Sequence, residues 1–309
     1  PTYSTHFLAE VLHASFPPNT YRMNPYSSWY PDIRELEQKV KSHSSIVGIL
    51  VINPDNPTGF VYPAETLRQV VKIAKEYDLF LVFDETYINI IYNNKKTLHL
   101  SDVIGDVPGM SMKGISKEFP WPGARCGWLE VYNADKDETF ARYINTILTQ
   151  KMSEVCSTSL PQISIPRIMS HPQYQNYLNE RIRHYERLSN IAYNILKDVH
   201  CLMVNRTNGA FYMTAVFNEA FLNNRQTLPI AQPEIRNFVE GLVGDNIELD
   251  KRFVYYLLGA TGICVVPLTS FFTNLQGFRM TLLEKDEGKF EHIVKTIAEK
   301  VEEYIESSR

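Results

Sequence analysis

The sequence of 309 residues predicts an open α/β fold, a mostly parallel sheet flanked by helices, followed by a smaller α+β C-terminal domain. Three observations predict it. Two short apolar runs, 45–53 and 79–84, bracket a segment with helical periodicity. Polar residues of unusual type gather just after such runs. Beyond residue 171 the pattern changes to long amphipathic stripes separated by brief strand-like runs.

The run SIVGILVIN, 45–53, is β-branched, lacks polar alternation and ends in a Pro and Gly cluster, as a strand buried on both faces does. Pro63 stands at the start of the helix that should follow, and Leu67, Val70, Val71 and Ala74 repeat at helical spacing up to Tyr77. LFLVFD, 79–84, is the second buried strand; GMSMKGI, 109–115, and CGWLEVY, 126–132, are the third and fourth. Strand, helix, strand with short connections implies parallel, right-handed crossovers. From 171 to 199, Tyr174, Leu178, Ile182, Tyr185, Leu188, Ala192 and Ile195 form one stripe of a long helix, with Pro172 in its first turn. AFYMTAVF, 210–217, and GICVVP, 262–267, read as strands, with a helix-like segment at 233–243 between them. Phe290, Ile293, Val294, Ile297, Val301, Tyr304 and Ile305 mark a closing helix. A boundary near 172 divides a large domain, 1–172, from a long helix and small domain, 173–309.

Lys and Arg (31) nearly balance Asp and Glu (35), so no basic field exists to hold nucleic acid or an anionic membrane. No apolar run approaches the ~20 residues of a membrane span, and no signal peptide opens the chain. Cys126, Cys156, Cys201 and Cys264 are far apart, without CxxC spacing, and sit among apolar neighbours. They read as reduced core thiols of a cytoplasmic protein, not as a disulfide framework or a metal site.

In open α/β sheets ligands bind beyond the carboxyl ends of the strands. There the first run delivers Asn56 in NPDNPTG, the second Asp84 with Tyr87 three residues on, and the third Ser116 and Lys117. Each has a plainer use. NPDNPTG suits a turn, Asp84 a helix cap, Tyr87 a core aromatic, Lys117 a solvated surface and Arg125 an exposed ion pair. Residue by residue those alternatives stay open.

Together, NPxNPTG, DExY, and SK with an Arg eight positions on resemble the class I/II, fold type I pyridoxal-phosphate-dependent aminotransferases of the aspartate, tyrosine and alanine aminotransferase group. The resemblance runs from Pro1 to the C-terminal helix. It implies that Lys117 binds pyridoxal 5'-phosphate as an aldimine and that Asp84 pairs with the pyridine nitrogen. A carboxylate there keeps the ring protonated, and the cationic ring is the electron sink of the chemistry. By the same resemblance Asn56 and Tyr87 bond the phenolic oxygen of the cofactor, and Arg125 grips its phosphate in a charge-assisted fork, beside Ser116. Tyr3 in PTY matches the aromatic stacked on the pyridine face. Arg279 in GFRMTL, with Asn56, matches the site for the substrate α-carboxylate. Displaced by substrate, the Lys117 amine would carry the proton between Cα and the cofactor carbon.

The resemblance further implies amino acid and 2-oxo acid substrates and a homodimer. Segment 260–287 is most similar to alanine aminotransferases, which points to alanine as donor and 2-oxoglutarate as acceptor; FPWPGARCGW departs from that enzyme's wording. Gly114 stands where many members carry Ser or Thr. Members also carry, before the PTY position, an arm, two strands and a turn that cradles the phosphate at a helix N-terminus. The expectation is therefore an incomplete large domain with an exposed sheet edge and a reading frame that extends upstream. Competing readings are a lyase or decarboxylase of the same fold, a non-catalytic cofactor-binding regulatory domain, and a degraded scaffold that no longer binds the cofactor.

Overall fold

The computed structural model describes residues 2–13, 18–244 and 246–308. The chain starts with α1 (Ser4–His13), then a small antiparallel pair, β1 (Met23–Asn24) and β2 (Tyr30–Pro31). Helix α2 (Ile33–Ser42) is capped by Asp32, whose Oδ1 accepts from Glu35 N at 3.0 Å and so satisfies a first-turn donor. Next come β3 (Gly48–Ile52), α3 (Ala64–Glu76), β4 (Phe80–Asp84), the single turn α4 (Leu100–Val103), β5 (Gly109–Gly114) and β6 (Gly127–Tyr132). The stretch 133–171 forms α5 (Glu138–Lys151), in which Phe140, Tyr143, Ile144, Ile147 and Leu148 fall at helical spacing behind the cap Asp137, and α6 (Ser159–Met169).

The larger sheet has the order β3-β4-β5-β6. Strands β3, β4 and β5 are parallel and β6 runs antiparallel to β5 over Gly109↔Tyr132 to Gly114↔Gly127, so the sheet is mostly parallel, as expected, with one antiparallel edge strand. The reason lies in the connection. Between β5 and β6 the chain forms only a short turn of 3-10 helix, Pro122–Ala124, and without a crossover helix it comes back beside the strand it left. Parallel β3 and β4 need their crossover, and α3 supplies it.

The long helix α7 (Tyr174–Leu196) leads to β7 (Leu202–Val204), β8 (Tyr212–Phe217), α8 (Pro233–Val243), α9 (Leu249–Thr261), β9 (Val266–Pro267), β10 (Gly277–Thr281) and α10 (Glu287–Glu306). The smaller sheet, β7-β8-β10-β9, is antiparallel throughout. The run 262–267 yields only two strand residues, because Gly262 (φ 74°) ends α9 in the left-handed conformation and the chain is still leaving the helix. Helix α9 and strand β10, for which the sequence raised no expectation, precede and follow β9 in the chain, and β10 pairs with β9.

Two apolar cores result. One packs Leu67, Val70 and Ala74 of α3 on Val51, Leu81 and Phe83 of the large sheet; the other packs Leu188, Ala192 and Leu196 of α7 with Phe253, Phe278, Val294, Val301 and Tyr304. Full burial of one such side chain is worth about 1.5–3 kcal/mol. All six residues of β8 are buried, with Met213, Ala215 and Phe217 in the second core and Val216 in the first. Of the cysteines only Cys201 is buried; Cys156 and Cys264 are exposed and Cys126 is half-buried, which corrects the expectation of four core thiols. Apolar neighbours in a short loop do not require that the loop itself be covered. Among the described residues no helix is long and apolar enough to cross a membrane, and no His, Cys, Asp and Glu cluster could hold a metal ion.

Candidate active site

The segment after β3 is wholly buried and held by its own side chains. The Asn53–Pro54 peptide is cis. Asn53 Nδ2 donates to Thr97 Oγ1 at 2.9 Å and its Oδ1 accepts from Tyr62 N at 3.1 Å, while Asp55 Oδ2 accepts from the amide (3.1 Å) and hydroxyl of Thr58. Gly59 closes the turn at φ 70°, where a Cβ would stand 2.8 Å from Tyr212 O. Thus NPDNPTG is a turn, and it presents Asn56 toward the smaller sheet.

Arg279 meets it there. On β10, Arg279 is paired with Thr214 of β8, and Thr214 Oγ1 donates to Pro57 O at 2.8 Å, so this face of the small sheet lies against the turn. Arg279 Nη1 donates to Asn56 Oδ1 at 3.0 Å, and the guanidinium carbon lies 4.4 Å from the Tyr212 ring centroid and 5.0 Å from that of Phe271. Its Nε is buried without a hydrogen-bond partner among the described residues. Burial holds the Arg279 pKa below its ordinary value.

Asp84 ends β4. Its Oδ1 accepts from Thr86 N at 3.0 Å and from the Thr86 hydroxyl; its Oδ2 is 2.8 Å from His6 Nε2. Burial pushes the carboxyl up, but the bonds from His6 and Thr86 more than offset this and hold it below the usual carboxylate range. Tyr87 OH shares a 2.9 Å hydrogen bond with Tyr212 OH, and burial drives the Tyr87 phenol far above its ordinary value. Lys117, half-buried in the connection after β5, places Nζ 5.9 Å from the Tyr87 ring centroid and 5.8 Å from that of Phe211.

Asn56, Arg279, Tyr212, Tyr87 and Lys117 therefore form one continuous series of contacts, with Asp84 three residues before Tyr87. Tyr3 is exposed at the mouth, with its ring edge-on to His6 at 5.7 Å. Ser116 is half-buried beside Lys117. Arg125 stands apart: exposed, at φ 52°, it donates through Nη1 to Pro122 O at 3.0 Å, and its carbonyl accepts from Thr158 Oγ1.

Two participants are absent from the sequence reading. His6 lies three residues after Tyr3, in the first turn of α1, a helix with no counterpart in the sequence expectations. Tyr212 alternates with Thr214 and Val216 along β8, so its position two residues from Thr214 was the available signal.

The sequence profile described as Aminotransferase class I and II matches residues 1–297. An uncharacterized aminotransferase of Methanocaldococcus jannaschii is 55% identical over 307 residues, 99% of this chain and 71% of that protein. Glutamate-pyruvate aminotransferase AlaA of Escherichia coli is 28% identical over 194 residues, 62% of this chain and 47% of that protein. The fold is that of alanine aminotransferase from Pyrococcus furiosus, with a TM-score of 0.78 at 21% identity over 99% of this chain and 68% of that one. The chain belongs to the class I and II aminotransferases, a family whose membership implies pyridoxal phosphate as cofactor.

Proposed function

We propose that the whole protein moves an amino group between an amino acid and a 2-oxo acid, with pyridoxal phosphate held by Lys117. The observation that carries this reading is the convergence of a half-buried amine, an anionic carboxylate and a half-buried guanidinium whose buried Nε has an unused N–H, delivered by β5, β4 and β10. These residues fit the cofactor. An ionised carboxylate has about four acceptor positions, so Asp84 retains capacity for a pyridinium N–H beside His6 and Thr86. When bound, the cofactor supplies an electron sink for charge developing at Cα.

The rest belongs to the chain. Lys117 Nζ attaches the cofactor and, once released, moves the proton at Cα. Asp84 holds the pyridine proton. Asn56 and Tyr87 hydrogen-bond the phenolic oxygen, and Tyr212 fixes the Tyr87 hydroxyl. Arg279 takes the α-carboxylate, which gives its orphaned Nε an acceptor. By the family resemblance Ser116 and Arg125 take the phosphate, although Arg125 here stands apart with its guanidinium on Pro122 O, and Tyr3 covers the ring. A small donor such as alanine, with 2-oxoglutarate as acceptor, agrees with the names of the Escherichia coli and Pyrococcus furiosus relatives. We also place the protein in the cytoplasm as a homodimer, in keeping with the family habit and with free thiols at Cys126, Cys156 and Cys264.

The test is the visible absorption spectrum of the protein reconstituted with pyridoxal phosphate. A band present in the wild type, bleached by borohydride and missing in Lys117→Ala, is expected. With alanine and 2-oxoglutarate the wild type should yield pyruvate and glutamate; ammonia in their place would mean elimination, and no Lys117-dependent band would end the reading.

A further inference from the structure

Lys117 lies in the connection 115–126, whose only regular element is the 3-10 turn Pro122–Ala124, so its direction must be fixed from outside. Helix α7 does this at three consecutive residues. Arg181 Nη2 donates to Lys117 O at 3.2 Å and Arg181 Nη1 donates to Glu118 O. The Glu118 carboxylate, itself buried, accepts from Asn89 Nδ2 at 2.7 Å and from the Tyr174 hydroxyl. The Phe119 ring stacks on Tyr174, with centroids 5.5 Å apart and planes 18° from parallel.

Tyr174, Arg181 and Tyr185 share one face of α7, spaced by seven and four residues. Arg181 is itself held between rings, 5.6 Å from the Tyr177 centroid and 5.4 Å from that of Tyr185, and Nη2 also donates to the Tyr185 hydroxyl. Burial pushes the Glu118 carboxyl up while Asn89 and Arg181 pull it back, so this acid is tied to the same network.

We propose that Arg181 is a positioning residue for Lys117: its guanidinium grips the successive backbone carbonyls of Lys117 and Glu118, so α7 sets where the amine points. A planar fork with fixed donors suits two adjacent carbonyls, and an ammonium does not reproduce it. The inference rests on the role of Lys117 given above.

The test uses the whole protein loaded with pyridoxal phosphate, comparing wild type with Arg181→Lys and Tyr174→Phe. In Arg181→Lys the visible band should persist, with the pH midpoint of its colour change moved by about half a unit or more. Its kcat should fall roughly 10- to 100-fold, the size expected of a small misplacement of a reacting group, with KM within about two-fold. A lower Tm with midpoint and kcat unchanged would make Arg181 merely structural and overturn the proposal. If Arg181→Lys does not fold, Tyr174→Phe is read in the same way: a shifted midpoint supports the positioning role, an unchanged midpoint and kcat overturn it. Failure of the Lys117 reading would appear separately, as a wild type without a Lys117-dependent band, and would remove the positioning role with it.

Discussion

At the scale of residues, the site is organised by groups whose charge is costly to bury and is compensated in specific ways. Arg279 gives up solvent and gains Asn56 and two aromatic faces, yet its Nε still lacks an acceptor. A buried donor left unpaired costs about 1–3 kcal/mol, and an acceptor arriving there, such as the carboxylate of the proposed substrate, would recover it. Asp84 is compensated differently, by His6 and Thr86. Its folded pKa lies below its unfolded value of about 3.9, so it contributes stability above that pH and loses it as pH falls through the folded value. His6→Ala removes the bond at 2.8 Å and brings the folded pKa nearer the unfolded one. Acid unfolding followed by circular dichroism should then begin at a higher pH than in the wild type. An identical acid midpoint would mean that the contact with His6 does not depress Asp84.

At the scale of elements, β10 shows how a strand position serves the site. A Cβ at Gly277 would stand 2.3 Å from Ala215 O and 3.1 Å from Val216 Cα, both backbone atoms of β8 with no rotamer to escape into. Gly277→Ala should cost about 1–3 kcal/mol as overpacking and, because Arg279 is two residues along the same strand, lower kcat/KM together with Tm. Gly123→Ala, with nothing within 4 Å of its Cβ, is the matched control and should leave both unchanged. A Gly277→Ala protein with wild-type values would refute the close approach. The same strand marks a limit of sequence reading. Strands β3, β4 and β5 and helices α3, α7 and α10 are legible because their apolar runs or stripes are long, whereas the signal in GFRMT is only a brief alternation, Phe278 and Met280 set between Gly277, Arg279 and Thr281. The direction of β6 is legible only from the connection before it, where Pro120, Pro122 and Gly123 exclude a crossover helix. Asn56, Asp84, Tyr87, Lys117 and Arg279 are readable from motif order. His6 and Tyr212 are not, because they reach the site only through the packing of α1 and the pairing of β8 with β10.

At the scale of the molecule, the division near residue 172 remains a proposal, and the packing argues that the two parts it separates are joined energetically. Val216, Leu268 and Phe271, from beyond the division, lie in the core built on α3 and the large sheet; Tyr87, Ile90 and Tyr92, from before it, lie in the core around α7 and α10. Separating the parts would expose side chains of each to water at about 25 cal/mol per Å², so neither core can melt without disturbing the other. Leu268, fully buried, tests this. Leu268→Ala should cost about 2–5 kcal/mol, and at roughly 2–4 °C per kcal/mol for a chain of this order the Tm should fall by roughly 4–20 °C. If the two parts unfold as one cooperative unit, calorimetry of the variant shows a single peak displaced as a whole, although the substitution lies in the C-terminal part and damages the N-terminal core. Two resolved transitions, with only one of them displaced, would mean that the parts are stable separately and that the shared wall at β8 contributes little.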